Sequence, residues 1–236
     1  EGDTFPLYTL SNGKLTVNLS PPRQAHETFA IRVDYGGTEE RGFHFPNPDP
    51  LAFSSVYTFS EPEDARYWFP CRDVPNDKVT ADIIVNVPDN YRVGSNGTLV
   101  EETPLVGDRR QFHWSVTEPI ATYLLCVYAA PFTILTDDTL PAIPIVHYVY
   151  PNDAASGARS FHRVPEMIQY FSSLFGPYPF QKYGHAEGSF PGGMEHQSLT
   201  LVGEFVVRDS ANYQWLLAHE LGHQWWGDLL TCRAWS

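Results

Sequence analysis

The sequence predicts a mixed fold, β-rich to about residue 134 and α+β from about residue 135 onward. Three observations predict it. Apolar and polar residues alternate repeatedly before residue 130, apolar residues recur at helical spacing after residue 160, and Gly-, Pro- and Asn-rich clusters punctuate the chain between them.

In the first part, Leu15, Val17 and Leu19 alternate with Lys14, Thr16 and Asn18, directly after the tight-turn pair Asn12-Gly13. Ile31, Val33 and Tyr35 alternate with Arg32 and Asp34, which predicts a second strand. Residues 79–87 give the cleanest half-buried strand, with Val79, Ala81, Ile83, Val85 and Val87 on one face. Phe112, Trp114 and Val116 predict another, and the continuous apolar run from Tyr123 to Tyr128 predicts a buried one. Turns are expected at Gly36-Gly37, Pro46 to Pro50, Pro88 to Asn90 and Gly94 to Gly97. The composition of Leu135 to Pro144 reads as a linker. Beyond it, Val164, Met167, Ile168, Phe171, Leu174 and Phe175 predict a helix that Gly176-Pro177 ends. A short strand is expected near Leu199 to Val202. A second helix, capped by Asp209 or Ser210, should carry Trp215, Leu216 and Leu217.

Composition sets outer bounds. With 236 residues, 42% of them hydrophobic and 18% charged, the chain can bury a substantial core. A net charge of −13 argues against a nucleic-acid partner, because phosphate binding needs a lysine and arginine surface. The same charge is compatible with a cationic group such as a peptide's α-ammonium, but acidity for solubility alone is the stronger reading of it. The three cysteines, Cys71, Cys126 and Cys232, form no Cys-x-x-Cys pair and allow one bridge at most. No run of 18 apolar residues offers a membrane segment. Glu1-Gly2-Asp3-Thr4 is neither an initiator Met nor a signal peptide, so a processed or cut chain is expected.

The chemistry concentrates in His219-Glu220-Leu221-Gly222-His223. On a helix, residues four apart lie on one face, so both imidazoles can turn to one Zn²⁺. Glu220 then stands beside the metal as a general base for a zinc-activated water. Two histidines on a buried helix face can also be ordinary core residues, but the spacing, the helix and the glutamate agree on the metal reading. A catalytic zinc needs a third protein ligand. His185 and His196 are nearest in sequence and read as loop or pocket residues rather than ligands.

Gly192-Gly193-Met194-Glu195-His196, followed by His219 to Asp228, resembles the M1 zinc aminopeptidases, whose paired signatures are Gly-x-Met-Glu-Asn and His-Glu-x-x-His. Glu61 to Arg66, Phe69 to Pro75, Lys78 and Ser95-Asn96-Gly97 are similar to blocks of that family's N-terminal domain. The resemblance implies a saddle-like β-rich domain over residues 1–134 and the first part of a thermolysin-like domain over 135–236, with the pocket between them. It implies peptide substrates with a free N-terminal amine, bound by Glu195 and Glu61. Gly192 and Gly193 would let backbone approach the substrate strand. His196 stands where the family usually has Asn. The third ligand, a Glu, would fall at position 242, and the family's oxyanion-stabilising tyrosine lies further on. The 236 residues alone are therefore expected to be inactive. Two other readings share the motif. A zinc endopeptidase has no use for an amine-binding Glu195, and a non-catalytic scaffold has no need of Glu220.

Overall fold

The computed structural model describes residues 7–37, 41–45, 55–209 and 212–235. The chain forms two compact units, Glu1–Thr38 and Glu39–Ser236.

In the first unit, β1 (Tyr8–Ser11) and β2 (Lys14–Val17) form an antiparallel hairpin with Ser11 opposite Lys14. The turn is Asn12-Gly13, as expected, and both residues take positive φ (51° and 70°). The alternation at residues 31–35 does not become a strand. Ile31, Val33 and Tyr35 are all exposed, so no face is buried to reward the alternation.

The second unit begins with β3 (Gly42–His44) and β4 (Val56–Phe59). The proline cluster at 46–50 lies outside the described residues. Three longer strands and one short one follow: β5 (Val79–Pro88), β6 (Arg92–Ser95), β7 (Thr98–Leu105) and β8 (Arg109–Ile120). β8 pairs with both β5 and β7. Phe112, Trp114 and Val116 of β8 are buried as the alternation predicts, and Ile84 of β5 faces out. Gly94 lies within β6 rather than in a turn. Gly97 makes the turn itself, with φ +70° and Ser115 O only 2.1 Å from where a Cβ would stand.

The run from Tyr123 to Tyr128 is buried throughout, but it is not one strand. A 3₁₀ turn occupies Thr122–Leu124, and β9 covers Val127–Ala130 between β4 and β6. An apolar run alone does not separate buried turn from buried strand.

A mixed five-stranded sheet follows, in the order β10-β11-β12-β14-β13. Its strands are β10 (Thr133–Asp137), β11 (Ile145–Val149), β12 (Tyr183–Gly188), β13 (Gly193–Met194) and β14 (Thr200–Gly203). The expected linker at 135–144 is corrected here: its first residues belong to β10, which pairs antiparallel with β11. Four helices accompany the sheet: α1 (Ala154–Phe161), α2 (Val164–Phe175), α3 (Glu204–Arg208) and α4 (Gln214–His223). α2 runs over the predicted span and stops at Gly176, whose φ is +97°. Asp209 does not cap α4. It ends α3, and α4 starts only at Gln214, while Ser210 lies outside the described residues.

The sheet is covered on both faces. Tyr148, Ala186, Met194 and Leu201 join the core of the β-rich layer with Trp114, Tyr128 and Leu124. Ile145, Val149, Tyr183 and Val202 pack under the helices with Ile168, Val206, Leu217 and Leu221. Burial on both faces explains why these strands show no alternation in sequence. Each fully buried Leu or Ile contributes roughly 1.5–3 kcal/mol of transfer free energy.

One buried polar pair sits in this sheet. His147 of β11 lies opposite His185 of β12, with Nδ1 atoms 3.1 Å apart, and Phe161 stacks on both rings. Burial pushes His147 down to about 3, opposed by the charge of Asp137 on β10. Burial, then the neighbouring His147, pushes His185 down as well. As pH falls below about 6.5, the unfolded chain takes up protons that these folded imidazoles refuse. Their contribution to stability is thus complete above that pH and lost as pH falls toward the folded values. Each should add a slope on the order of 1.4 kcal/mol per pH unit within that window. Urea midpoints of the wild type and His147→Gln at pH 7 and pH 5 check this. The variant should lose less stability on acidification, and equal losses would contradict the assignment.

Candidate metal and amine-binding site

α4 is buried along one side by Leu216, Leu217 and Leu221, whereas His219 is exposed and His223 half-buried. The helical offset of four places the two rings edge to face, with Nε2 atoms 3.1 Å apart. Two nitrogens on one tetrahedral zinc, each at roughly 2.0–2.1 Å, must stand about 3.3 Å from one another. The pair therefore fits a shared metal. His223 Nδ1 lies 3.0 Å from the carbonyl of Trp226, to which it can donate. That hydrogen bond puts the proton on Nδ1 and leaves Nε2 free as a ligand. The Trp226 carbonyl reaches back because the chain leaves α4 in a wide turn over Gln224–Leu229. There Trp226 departs from helical geometry and Gly227 takes φ +150°. Among the described residues, no group of three or more His, Cys, Asp or Glu side chains is placed to hold a metal, and His219 and His223 are the two donors brought together on α4.

Glu220 lies on the buried flank of the same helix. Its carboxylate rests against Gly193 of β13, where a Cβ would come within 2.3 Å of Oε1. Gly192 is different, since a Cβ there meets only Phe190, at an ordinary 3.6 Å. The two glycines are thus not equivalent: the crowding at Gly193 comes from Glu220.

Glu195 is buried just past β13, and half-buried Glu61 follows β4. The loop carrying Glu61 is held at several points. Asp64 N donates to Ser60 O (2.8 Å), Trp68 Nε1 to Ser60 Oγ (3.0 Å), and Arg66 Nε to Asp73 Oδ2 (2.9 Å). The structure brings the three glutamates into one electrostatic neighbourhood. Burial, then the charges of Glu195 and Glu61, pushes Glu220 up to about 8. Burial and Glu195 raise Glu61, while His223 lowers it. Neighbouring carboxylates in a dry site oppose one another's ionisation, and a cation relieves that opposition.

Neither His185 nor His196 joins His219 and His223. His185 pairs with His147 in the sheet. His196 is fully buried, with Nδ1 2.5 Å from the Tyr128 hydroxyl. At this position, where the family usually has Asn, the hydrogen-bond partner is thus a tyrosine from β9. Sequence reasoning missed Tyr128, and it missed Gln224, whose side-chain amide reaches Glu195 O (3.0 Å). Lys78, noted only as part of a sequence block, donates to the carbonyls of Asp228 and Leu229 (3.1 Å to the latter), tying the turn after α4 to the β-rich layer. The three cysteines are unpaired, and among the described residues no helix is long and apolar enough to cross a membrane.

Comparison with known proteins places the chain in a family. The family model of the Peptidase M1 N-terminal domain matches residues 6–124, and that of the Peptidase family M1 domain matches residues 159–236. Glutamyl aminopeptidase of Rattus norvegicus is 28% identical over 195 residues, covering 78% of this chain and 21% of the relative. Aminopeptidase B of Rattus norvegicus is 28% identical over 230 residues, covering 94% and 34%. A crystal structure of an M1 zinc metallopeptidase from Deinococcus radiodurans superposes with a TM-score of 0.82 at 25% identity, covering 98% of this chain and 53% of that one. The chain spans a fifth to a third of these curated relatives and about half of the solved neighbour. Matched by the M1 N-terminal model over half its length and by the M1 peptidase model over the segment that carries both motifs, the chain belongs to the M1 peptidase family.

Proposed function

We propose that this chain is part of a zinc-dependent aminopeptidase that removes the N-terminal residue from peptides. The observation that carries the reading is the convergence of His219 and His223 Nε2 at 3.1 Å, with Glu220, Glu195 and Glu61 acting on one another beside them. The names of the relatives support it. In this reading residues 1–134 contribute Glu61 to the amine side of the pocket, and residues 135–236 contribute Glu195 and the metal side. The two family-model matches fall on either side of that division.

His219 and His223 would hold the zinc through Nε2. Once bound, the ion supplies a Lewis acid for the scissile carbonyl and lowers the pKa of water to about 7. Glu220 takes the proton from the attacking water at its carboxylate and delivers it to the leaving amine. Glu195 and Glu61 bind the substrate's α-ammonium, which fixes the free end of the peptide one residue from the bond to be cut. An endopeptidase would gain nothing from carboxylates placed there. With Gly193 lacking a side chain, Glu220 can lie flat against β13.

The full-length protein should release amino acids from unblocked peptides and from aminoacyl reporter amides. It should fail on the same substrates after N-acetylation, which removes the charge that Glu195 and Glu61 bind. Equal rates on blocked and unblocked substrates would sink the exopeptidase claim.

Glu220→Gln keeps nearly the same shape but cannot accept a proton. It should retain zinc by metal analysis and lose kcat by about 10²–10⁴-fold. Turnover near that of the wild type would remove Glu220 from the role of base.

A further inference from the structure

Gln224 follows His223 directly and is fully buried. Its amide is used at both ends. Nε2 donates to Glu195 O (3.0 Å), and Oε1 accepts from Ser198 N (2.8 Å) with the Tyr178 hydroxyl at 3.2 Å. The two backbone groups bracket a tight turn in which Leu199 N donates to His196 O (2.9 Å). Ser198 in that turn has φ +67°, a conformation rare for a residue with a side chain, so the turn persists because its surroundings hold it.

Asn96 and Lys182 also hold the backbone of this turn, and neither comes from the helix. Asn96, after β6, donates from Nδ2 to Gln197 O (2.7 Å) and to Leu124 O (3.0 Å). Lys182, before β12, donates from Nζ to Ser198 O (3.2 Å) and Oγ (3.3 Å). The Ser198 hydroxyl also accepts from Gly97 N (3.0 Å). Of these three side chains, Gln224 alone connects the turn to the end of α4. Its amide thus links the Glu195 backbone carbonyl directly to the end of the helix that carries the His219–His223 pair.

We propose that Gln224 is a positioning residue, whose side-chain amide sets the amine-binding Glu195 in register with the metal-binding helix. The inference rests on the aminopeptidase reading for its effect on substrate. Glutamine suits the task because one planar group offers a donor and an acceptor at fixed separation. Glutamate keeps the acceptor for Ser198 N and loses the donor to Glu195 O, while leucine loses both. A group that binds substrate tolerates little displacement, and a shift of about 1 Å can cost on the order of 10²-fold.

The test uses the full-length, zinc-loaded protein with Gln224→Glu and Gln224→Leu. Two quantities are read: amide hydrogen exchange in peptides covering residues 193–201, and KM and kcat on an unblocked aminoacyl reporter amide. Gln224→Leu should speed exchange in that segment and raise KM about 10- to 100-fold, with a smaller change in kcat and with zinc content kept. Gln224→Glu should fall between it and the wild type, and it carries the test by itself if the leucine variant does not fold. Unchanged exchange overturns the clamp. Faster exchange with unchanged KM overturns its role in positioning Glu195, as does loss of zinc from Gln224→Glu. A wild-type protein that leaves aminoacyl amides uncut refutes the aminopeptidase reading instead, and the exchange measurement then decides the clamp on its own.

Discussion

The mixed sheet buried on both faces is the constraint from which the site follows. β11, β12 and β14 cannot move without opening two cores, one shared with the β-rich layer and one with the helices. Met194 and Leu201 fix β13 and β14 to the first core, and Leu217 and Leu221 fix α4 to the second. The sheet thus places β13, which runs into Glu195, alongside the helix that carries His219, Glu220 and His223. Functional groups gain precision when they stand on elements locked in this way. The loop bearing Glu61 packs Phe59, Trp68 and Phe69 on the first core and is tied further by the Arg66–Asp73 pair and the bonds to Ser60.

Electrostatics then distinguishes this site from a packed interior. The fully buried Asp228 feels the charges of Glu195 and Glu220, opposed by Lys78, whose ammonium is bonded to backbone carbonyls. Both Asp228 oxygens lack a hydrogen-bond partner, and burial, then Glu195, hold its carboxyl well above the usual range. Acidic groups gathered in a dry site destabilise one another unless protons or a cation compensate. Two histidines with convergent Nε2 atoms at the edge of that group are suited to bring in the cation. On the proposed reading, a metal held there and the carboxylates would be complementary parts of one charge arrangement.

What could be read from sequence divides along physical lines. The helical offset fixes where His219 and His223 sit relative to one another, so their convergence was legible from spacing alone. β5 and β8 were legible because one face of each is drier than the other, and alternation records that difference. The fully buried segments carry no such record. The run at Tyr123 to Tyr128 divides into a turn and a strand, and the start of β10 resembles a linker. Ile31, Val33 and Tyr35 show the reverse case, an alternating pattern with no buried face. The supporting groups were hidden for another reason. Tyr128 and His196 are 68 residues apart, Asn96 and Gln197 are 101 apart, and local pattern does not encode such contacts. The resemblance to a family located Glu195 and Glu61. Only the fold revealed that Gln224 and Tyr128 hold the segment around Glu195.

The account stands on a zinc ion shared by two nitrogens of one helix. Anomalous diffraction at the zinc edge, from crystals of the full-length protein, tests that most directly. The account predicts one strong peak at roughly 2.0–2.1 Å from Nε2 of both His219 and His223, with Glu220 beside it and not bonded to it. A metal bound elsewhere, ligation through the Nδ1 of His223, or no peak between the two rings would contradict it.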